Sequence, residues 1–229
     1  MLLRPVRLRV WRAVEAQHHV STLRLVDHDP ADQEILERIL EESKPAVPPG
    51  AARLAYLLAT PFRYPSPHGS RFRGPHDPGV FYGAEQRRTA CAELGYWRWR
   101  FAQDSAGLRD LPATPQTLFQ AGIDGRGVDL RRAPFARDRL KWTDAVEYGA
   151  TQEMGRRARA AGAGVLLYES VRDPERGGCA AVLDPAALRP ARPLAQETWF
   201  LTITPRGALW TRERVEFAFP FAADSVSAP

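Results

Sequence analysis

The chain has 229 residues, 44% apolar and 26% charged, with a formal charge of +5 and a pI near 9.6. That length and balance, with no internal repeats and no long low-complexity runs, suit a folded protein with a sizeable core. Two cysteines, Cys91 and Cys179, are too few for a disulfide scaffold and lack zinc spacing, which points to a reducing cytoplasm.

The first residues, MLLRPVRLRVWR, are broken by arginine every two or three positions and offer no apolar signal-peptide core. No apolar run is long enough for a membrane span. The basic charge is almost all arginine, with Lys44 and Lys141 the two lysines, and no basic stripe interleaves with aromatics. Direct nucleic-acid binding is therefore not the expected use of that charge.

Val6, Leu8 and Val10 alternate with polar residues, a strand pattern. Asp29-Pro30 reads as an N-cap and first helical position, and Ile35, Leu36, Ile39 and Leu40 give that helix an apolar face up to about Ser43. A short apolar stretch, 54–58, precedes a loop dense in Pro, Gly, His and Arg, 61–78. Gly79 to Gly83 reads as a buried strand. From Glu85 to Phe101 the pattern is helical, with Ala90, Leu94, Trp97 and Phe101 as the expected apolar stripe.

Strands are expected near 116–121 and 127–130, and Gly122 to Gly127 reads as a turn because it lacks the full dinucleotide-loop spacing. A helix is expected at 143–161, stopped by Gly162 and Gly164. Strands follow at 165–168, 179–183, 198–204, 208–211 and 215–219. The order lacks regular βαβ alternation, so the fold class is α+β. Residues 1–229 read as one domain, with 25–65 as a helical insert. The histidines, among them His18, His19, His28, His68 and His76, show no ligand spacing, and no metal site is expected.

One segment is dense in chemistry. It holds Pro61-Phe62-Arg63, Gly69-Ser70-Arg71-Phe72-Arg73, Val80-Phe81-Tyr82 and Thr89 to Glu93. An arginine-bearing loop leads into a strand delivering Tyr82, then into a helix carrying Glu93 at the edge of its apolar stripe. A carboxylate at such an edge can line a cleft beside an arginine. On local pattern alone the simpler reading is a buried Arg–Glu pair with Tyr82 as a core aromatic.

The wider pattern resembles the RES family. Trp11-Arg12, Gly69-Ser70-Arg71-Phe72, Val80-Phe81-Tyr82-Gly83 with Glu93, the helix Tyr148 to Gly155, and Tyr168-Glu169-Ser170-Val171-Arg172 match its motifs in order and spacing. The likeness spans about 8–184, with C-terminal strands beyond it. The stretch between Arg12 and Arg71 is longer than in compact members, which leaves Arg63 as a rival to Arg12. Where some members carry a site serine this chain has Gly149, so Ser170, Thr151 or Thr143 would supply the hydroxyl.

The resemblance implies an ADP-ribosyltransferase-like fold, a split mixed or antiparallel sheet with flanking helices. It implies an enzyme, an NAD+ phosphorylase or glycohydrolase that acts as the toxin of a toxin–antitoxin pair. NAD+ would be the substrate, inorganic phosphate a possible co-substrate, and an Xre-type helix-turn-helix antitoxin the partner. Arg71, Tyr82, Glu93 and Ser170 would be catalytic, with Arg12, Arg63, Arg73, Thr151 and Arg172 binding the dinucleotide. Protein ADP-ribosylation and a non-catalytic binding module on the same fold are the alternatives.

Overall fold

A computed structural model describes residues 1–16, 26, 29–64 and 67–221. His18, His19 and His28 lie outside them.

Among the described residues eight strands form one mixed sheet, ordered β1-β2-β5-β4-β3-β6-β7-β8. The strands are β1 (Arg4–Glu15), β2 (Phe81–Ala84), β3 (Leu111–Asp129), β4 (Val165–Glu169), β5 (Gly178–Val182), β6 (Ala195–Thr204), β7 (Gly207–Arg212) and β8 (Val215–Pro220). The helices are α1 (Pro30–Glu42), α2 (Tyr56–Arg63), α3 (Arg87–Asp104), α4 (Arg139–Trp142) and α5 (Gly149–Ala160). The α+β expectation holds.

Strand β3 is the hub. Gln116 to Gly127 pair antiparallel with β1, Leu111 to Gln120 pair with β6, and Gly127 to Asp129 pair parallel with β4. Because β1 also touches β2 through Trp11 and Ala84, the strands β1-β2-β5-β4-β3 close on themselves. That closure rests on a single residue pair. Arg12 and Tyr82 flank it, which places both at the seam.

The predicted turn at Gly122 to Gly127 is not one. It lies inside β3, which joins the two strands expected on either side of it. Its glycines serve close approach. A Cβ on Gly122 would sit 2.1 Å from the Arg189 carbonyl oxygen, and one on Gly127 2.2 Å from that of Val165. Only hydrogen fits there, so backbone segments pack against β3.

Two cores lie on opposite sides of the sheet. One joins Trp99, Trp199, Trp210, Phe72, Tyr168 and Met154 with the buried faces of α3 and α5. The other joins Val6, Val10, Phe81, Phe119 and Ile123 with Leu54, Leu58 and Phe62. Large aromatic side chains remove the most apolar area per residue, so the buried tryptophans, Trp99, Trp199 and Trp210 with Trp11 and Trp142, dominate the first core.

The segment 25–65 is not uniform. Helix α1 begins as expected, with Asp29 Oδ1 accepting from the Ala31 and Asp32 N–H groups at 2.8 and 3.4 Å. It buries no residue, and Ile35, Ile39 and Leu40 remain exposed. From Ala51 to Phe62 the chain is part of the second core. Packing thus sets α1 apart and makes α2 integral.

Helix α3 corrects the expected stripe. Its core-facing residues include Ala92, Gly95, Tyr96, Trp99 and Ala102, whereas Trp97 and Phe101 are exposed. Gly95 lets the helix approach β7, where an added Cβ would lie 3.0 Å from both Ala208 and Trp210. Of the expected stripe, Ala90 is buried in the first core and Leu94 packs against it, so the expectation fails at Trp97 and Phe101. Helix α5 is shorter than the predicted 143–161, because α4 and a loop at 143–148 precede it. Gly155 of α5 packs against the Phe72 carbonyl, where a Cβ would lie 2.3 Å away, so α5 supports the loop that carries Arg71.

Candidate active site

One edge of α3 lines a cavity of about 380 Å3. Ala90, Glu93, Leu94 and Trp97 form one wall, Trp11, Arg12 and Tyr82 come from the sheet seam, and Arg71, Tyr148 and Arg172 come from loops. This size lies in the range of roughly 300–1,000 Å3 typical of small-molecule sites.

The Arg71 loop is built from both ends. Ser70 and Arg73 exchange backbone hydrogen bonds at 2.7 and 3.2 Å, which puts Arg71 and Phe72 at the centre of a tight turn. Phe72 plugs the turn into the core, edge-on to Tyr168 at 4.9 Å. The Tyr82 hydroxyl hydrogen-bonds Ser70 Oγ at 2.8 Å and accepts from the Phe72 N–H at 3.0 Å. That hydroxyl is thus committed to the loop, and the ring is what Tyr82 presents to the cavity.

Three arginines reach the cavity, and all are held without carboxylates. Arg71 donates to the Trp142 and Asp144 carbonyls at 3.2 and 2.8 Å and lies 4.7 Å over the Tyr148 ring. Arg172 donates to the Ala145 carbonyl at 2.6 Å and the Tyr148 hydroxyl at 3.1 Å, and lies 3.6 Å over the Tyr96 ring. Arg12 donates to the Tyr82 carbonyl at 2.8 Å, while its buried Nε has no partner. Burial pushes the Arg12 guanidinium down to about 10, still charged at neutral pH.

Other arginines differ. Arg87 pairs with Glu197 at 2.6 Å, Arg131 with Asp129 at 2.8 Å, and Arg139 with Glu169 at 2.5 Å. Carbonyls and ring faces position a guanidinium without cancelling its charge. The cavity therefore keeps a positive field, as a site for a multiply charged anion requires.

Glu93 does not form the Arg–Glu pair that the local pattern suggests. Its partner is Ser170, whose Oγ donates to Glu93 Oε1 at 2.5 Å. The same Oγ accepts from the Arg172 and Asp173 N–H groups at 3.2 and 3.0 Å. A hydroxyl has one proton, and here it is aimed at the carboxylate. The distance is that of a charge-assisted O–H···O− bond. Burial raises the Glu93 carboxyl above the ordinary glutamate range, opposed by the Ser170 hydrogen bond and by Arg71 and Arg172.

The turn bearing Ser170 is pinned to α3 a second time. Buried Asp173 accepts from Thr89 Oγ1 at 2.8 Å and pairs with Arg88 at 3.4 Å. Two links between one turn and one helix fix where Glu93 points.

Of the nine residues singled out from sequence, Arg12, Arg71, Tyr82, Glu93 and Arg172 line the cavity, and Ser170 lies beneath Glu93. Arg63 is elsewhere, donating to Glu41 and to the Pro45 carbonyl, both at 2.6 Å. Arg73 is buried and donates to the His68 carbonyl. Thr151 is buried and donates to the Tyr148 carbonyl at 2.9 Å, within the first turn of α5. Arg63, Arg73 and Thr151 thus serve structure rather than the cavity wall.

Sequence reasoning missed Tyr96, Trp97 and Tyr148 as wall or support residues. It also missed the carbonyls of Trp142, Asp144 and Ala145. Tyr148 opens a motif that the sequence displays, but a backbone carbonyl leaves no side-chain signal. Among the described residues no group of three or more His, Cys, Asp or Glu could hold a metal ion, and no helix is long and apolar enough to cross a membrane.

A family model described as RES domain matches residues 47–203. No curated protein matches the sequence. Among solved structures, a chain of the M. tuberculosis MbcT–MbcA toxin–antitoxin complex is similar with a TM-score of 0.50 at 14% identity, over 89% of this chain and 87% of that one. At that identity the likeness is one of fold.

Proposed function

The chain belongs to the RES-domain family, and on that premise we propose that it is an NAD+-consuming toxin held in check by an antitoxin partner. The observation that carries this reading is the cavity itself. Three guanidinium groups without carboxylate partners converge there with one hydroxyl-bound carboxylate. A dinucleotide carries a pyrophosphate for the first and a ribose for the second.

In the proposed reaction the bond between nicotinamide nitrogen and ribose C1′ breaks, and its electron pair leaves with neutral nicotinamide. Positive charge builds on the ribose. Glu93 stabilises that charge and accepts from the ribose hydroxyls, as fixed carboxylates do in glycoside cleavage. Arg71, Arg12 and Arg172 grip the pyrophosphate, and the Tyr82 ring walls the nicotinamide end. An acceptor oxygen then bonds to C1′. Inorganic phosphate yields the 1″-phosphate of ADP-ribose, and water yields ADP-ribose, each with release of a proton.

The test is NAD+ loss by the purified full chain with and without inorganic phosphate. Loss in both buffers names a hydrolase, and loss only with phosphate names a phosphorylase. Folded, partner-free protein that consumes no NAD+ in either buffer overturns the reading.

Ser170 supplies a finer prediction. In Ser170→Ala the carboxylate loses the hydrogen bond that favours its charged form. The acidic limb of the pH–rate profile should therefore move to higher pH, with kcat lowered by about tenfold at neutrality. An unmoved acidic limb would show that Ser170 does not act through Glu93.

A further inference from the structure

Trp97 is placed as no purely structural tryptophan needs to be. Its neighbours on α3, Tyr96 and Trp99, are 5% and 0% exposed, whereas Trp97 is 51% exposed and lines the cavity. The ring is nonetheless oriented. It meets Tyr96 edge-on at 5.4 Å and lies 5.7 Å from the Arg172 guanidinium. An ordered indole with half its surface open, beside a cation, is a platform for a planar aromatic ligand.

Its position follows the chemistry of the proposed substrate. Glu93 and Trp97 are four residues apart on α3, about one helical turn, or roughly 5.4 Å along the axis. Arg172 is coupled electrostatically to Glu93 and touches the Trp97 side. Arg172 thus lies between a carboxylate and an indole on one cavity wall. From the reacting carbon outward a dinucleotide runs ribose, pyrophosphate, adenosine. Phe101, one turn beyond, is 55% exposed and does not line the cavity, whereas Trp97 is both open and part of the cavity wall.

We propose that Trp97 is a nucleobase-stacking subsite that takes the adenine end of the dinucleotide, an inference that rests on the NAD+ reading above. It makes the enzyme selective for a whole dinucleotide over the base-free half. It also gives α3 two functions one turn apart, with chemistry at Glu93 and recognition at Trp97.

Calorimetric titration of the full chain with ADP-ribose, and with inorganic pyrophosphate as a base-free probe, tests this. Trp97→Ala should weaken ADP-ribose about tenfold or more, the effect of losing one stacked base, and leave pyrophosphate within about twofold. Trp97→Phe should retain most of the ADP-ribose affinity. Unchanged ADP-ribose affinity in Trp97→Ala, or equal loss for both probes, overturns the subsite. If the wild type consumes NAD+ while Trp97→Ala binds ADP-ribose normally, the subsite alone falls and the exposed stripe is left for a protein partner. If the wild type binds neither probe, the subsite and the NAD+ reading fall together.

Discussion

Glu93→Gln is expected to lower NAD+ turnover by about 10²- to 10³-fold while making the folded protein more resistant to heat. The two effects have one cause. Glutamine keeps the shape of the side chain and an acceptor for Ser170 Oγ, so the link to the turn at 170–173 survives. What disappears is the negative charge that would face the developing ribose cation. The same charge is costly to the fold, because burial disfavours it and raises the carboxyl above the ordinary range.

A raised carboxyl binds its proton more tightly in the folded state than in the unfolded chain. Its stabilising contribution is complete below the unfolded pKa and is lost as pH rises through the folded one. Wild type should therefore lose melting temperature relative to Glu93→Gln across the window from the ordinary glutamate value upward. The gap should level off above the raised value. Melting curves of both proteins over that window, with turnover measured alongside, check both claims. A gap that is flat with pH would mean that Glu93 carries no buried charge, and full turnover would remove it from the chemistry.

The sequence displays the parts of the site whose signal is a side chain at a fixed spacing. Arg71, Tyr82 and Glu93 are eleven residues apart in turn, and the fold brings all three to one cavity. Helices and strands whose apolar residues face a core were also legible, as with β1, where Val6 and Val10 are buried. The failures share a physical origin. On α3 the residues Ala90, Leu94, Trp97 and Phe101 form the more conspicuous apolar stripe, yet only Ala90 and Leu94 reach the core, while Trp97 and Phe101 are open to the cavity or solvent. The core face is built from small residues such as Ala92, Gly95 and Ala102, interspersed with aromatics, and small residues carry little hydrophobic signal although they permit close packing. Gly122 to Gly127 misled in a related way. Glycine marks a turn when it supplies conformation, but here it supplies absence of bulk beside Arg189, Ala187 and Val165. The anchors of the cavity arginines are mostly carbonyls, ring faces and a tyrosine hydroxyl, set by tertiary structure, so no local pattern could separate Arg71 from Arg73.

The two arginines that the sequence leaves as rivals, Arg12 and Arg63, occupy different surroundings in the fold. Arg63 ends α2 and is fully employed, with Nε on the Pro45 carbonyl and Nη1 on Glu41. Arg12 sits at the seam where β1 meets β2 and lines the cavity, and its Nε has no partner. A buried unsatisfied donor is a stability cost, and the place of Arg12 on the cavity wall leaves its guanidinium available to a bound phosphate. Arg12→Met should therefore lower kcat/KM for NAD+ by about 10²-fold, the size of two charge-assisted hydrogen bonds, chiefly through KM. Its resistance to urea should be equal to or above that of wild type, since methionine fills the apolar part of the space without a charge. Arg63→Met should do the reverse. NAD+ turnover should stay within about twofold of wild type, while the loss of the Pro45 and Glu41 contacts costs about 1 kcal/mol in urea unfolding. Steady-state kinetics and urea curves on the two variants give four numbers, and the assignment requires the kinetic and stability effects to fall on different residues. Loss of turnover in Arg63→Met with Arg12→Met unaffected would transfer the phosphate contact to α2. That outcome would require α2 to leave the second core, where Leu58, Ala59 and Phe62 hold it.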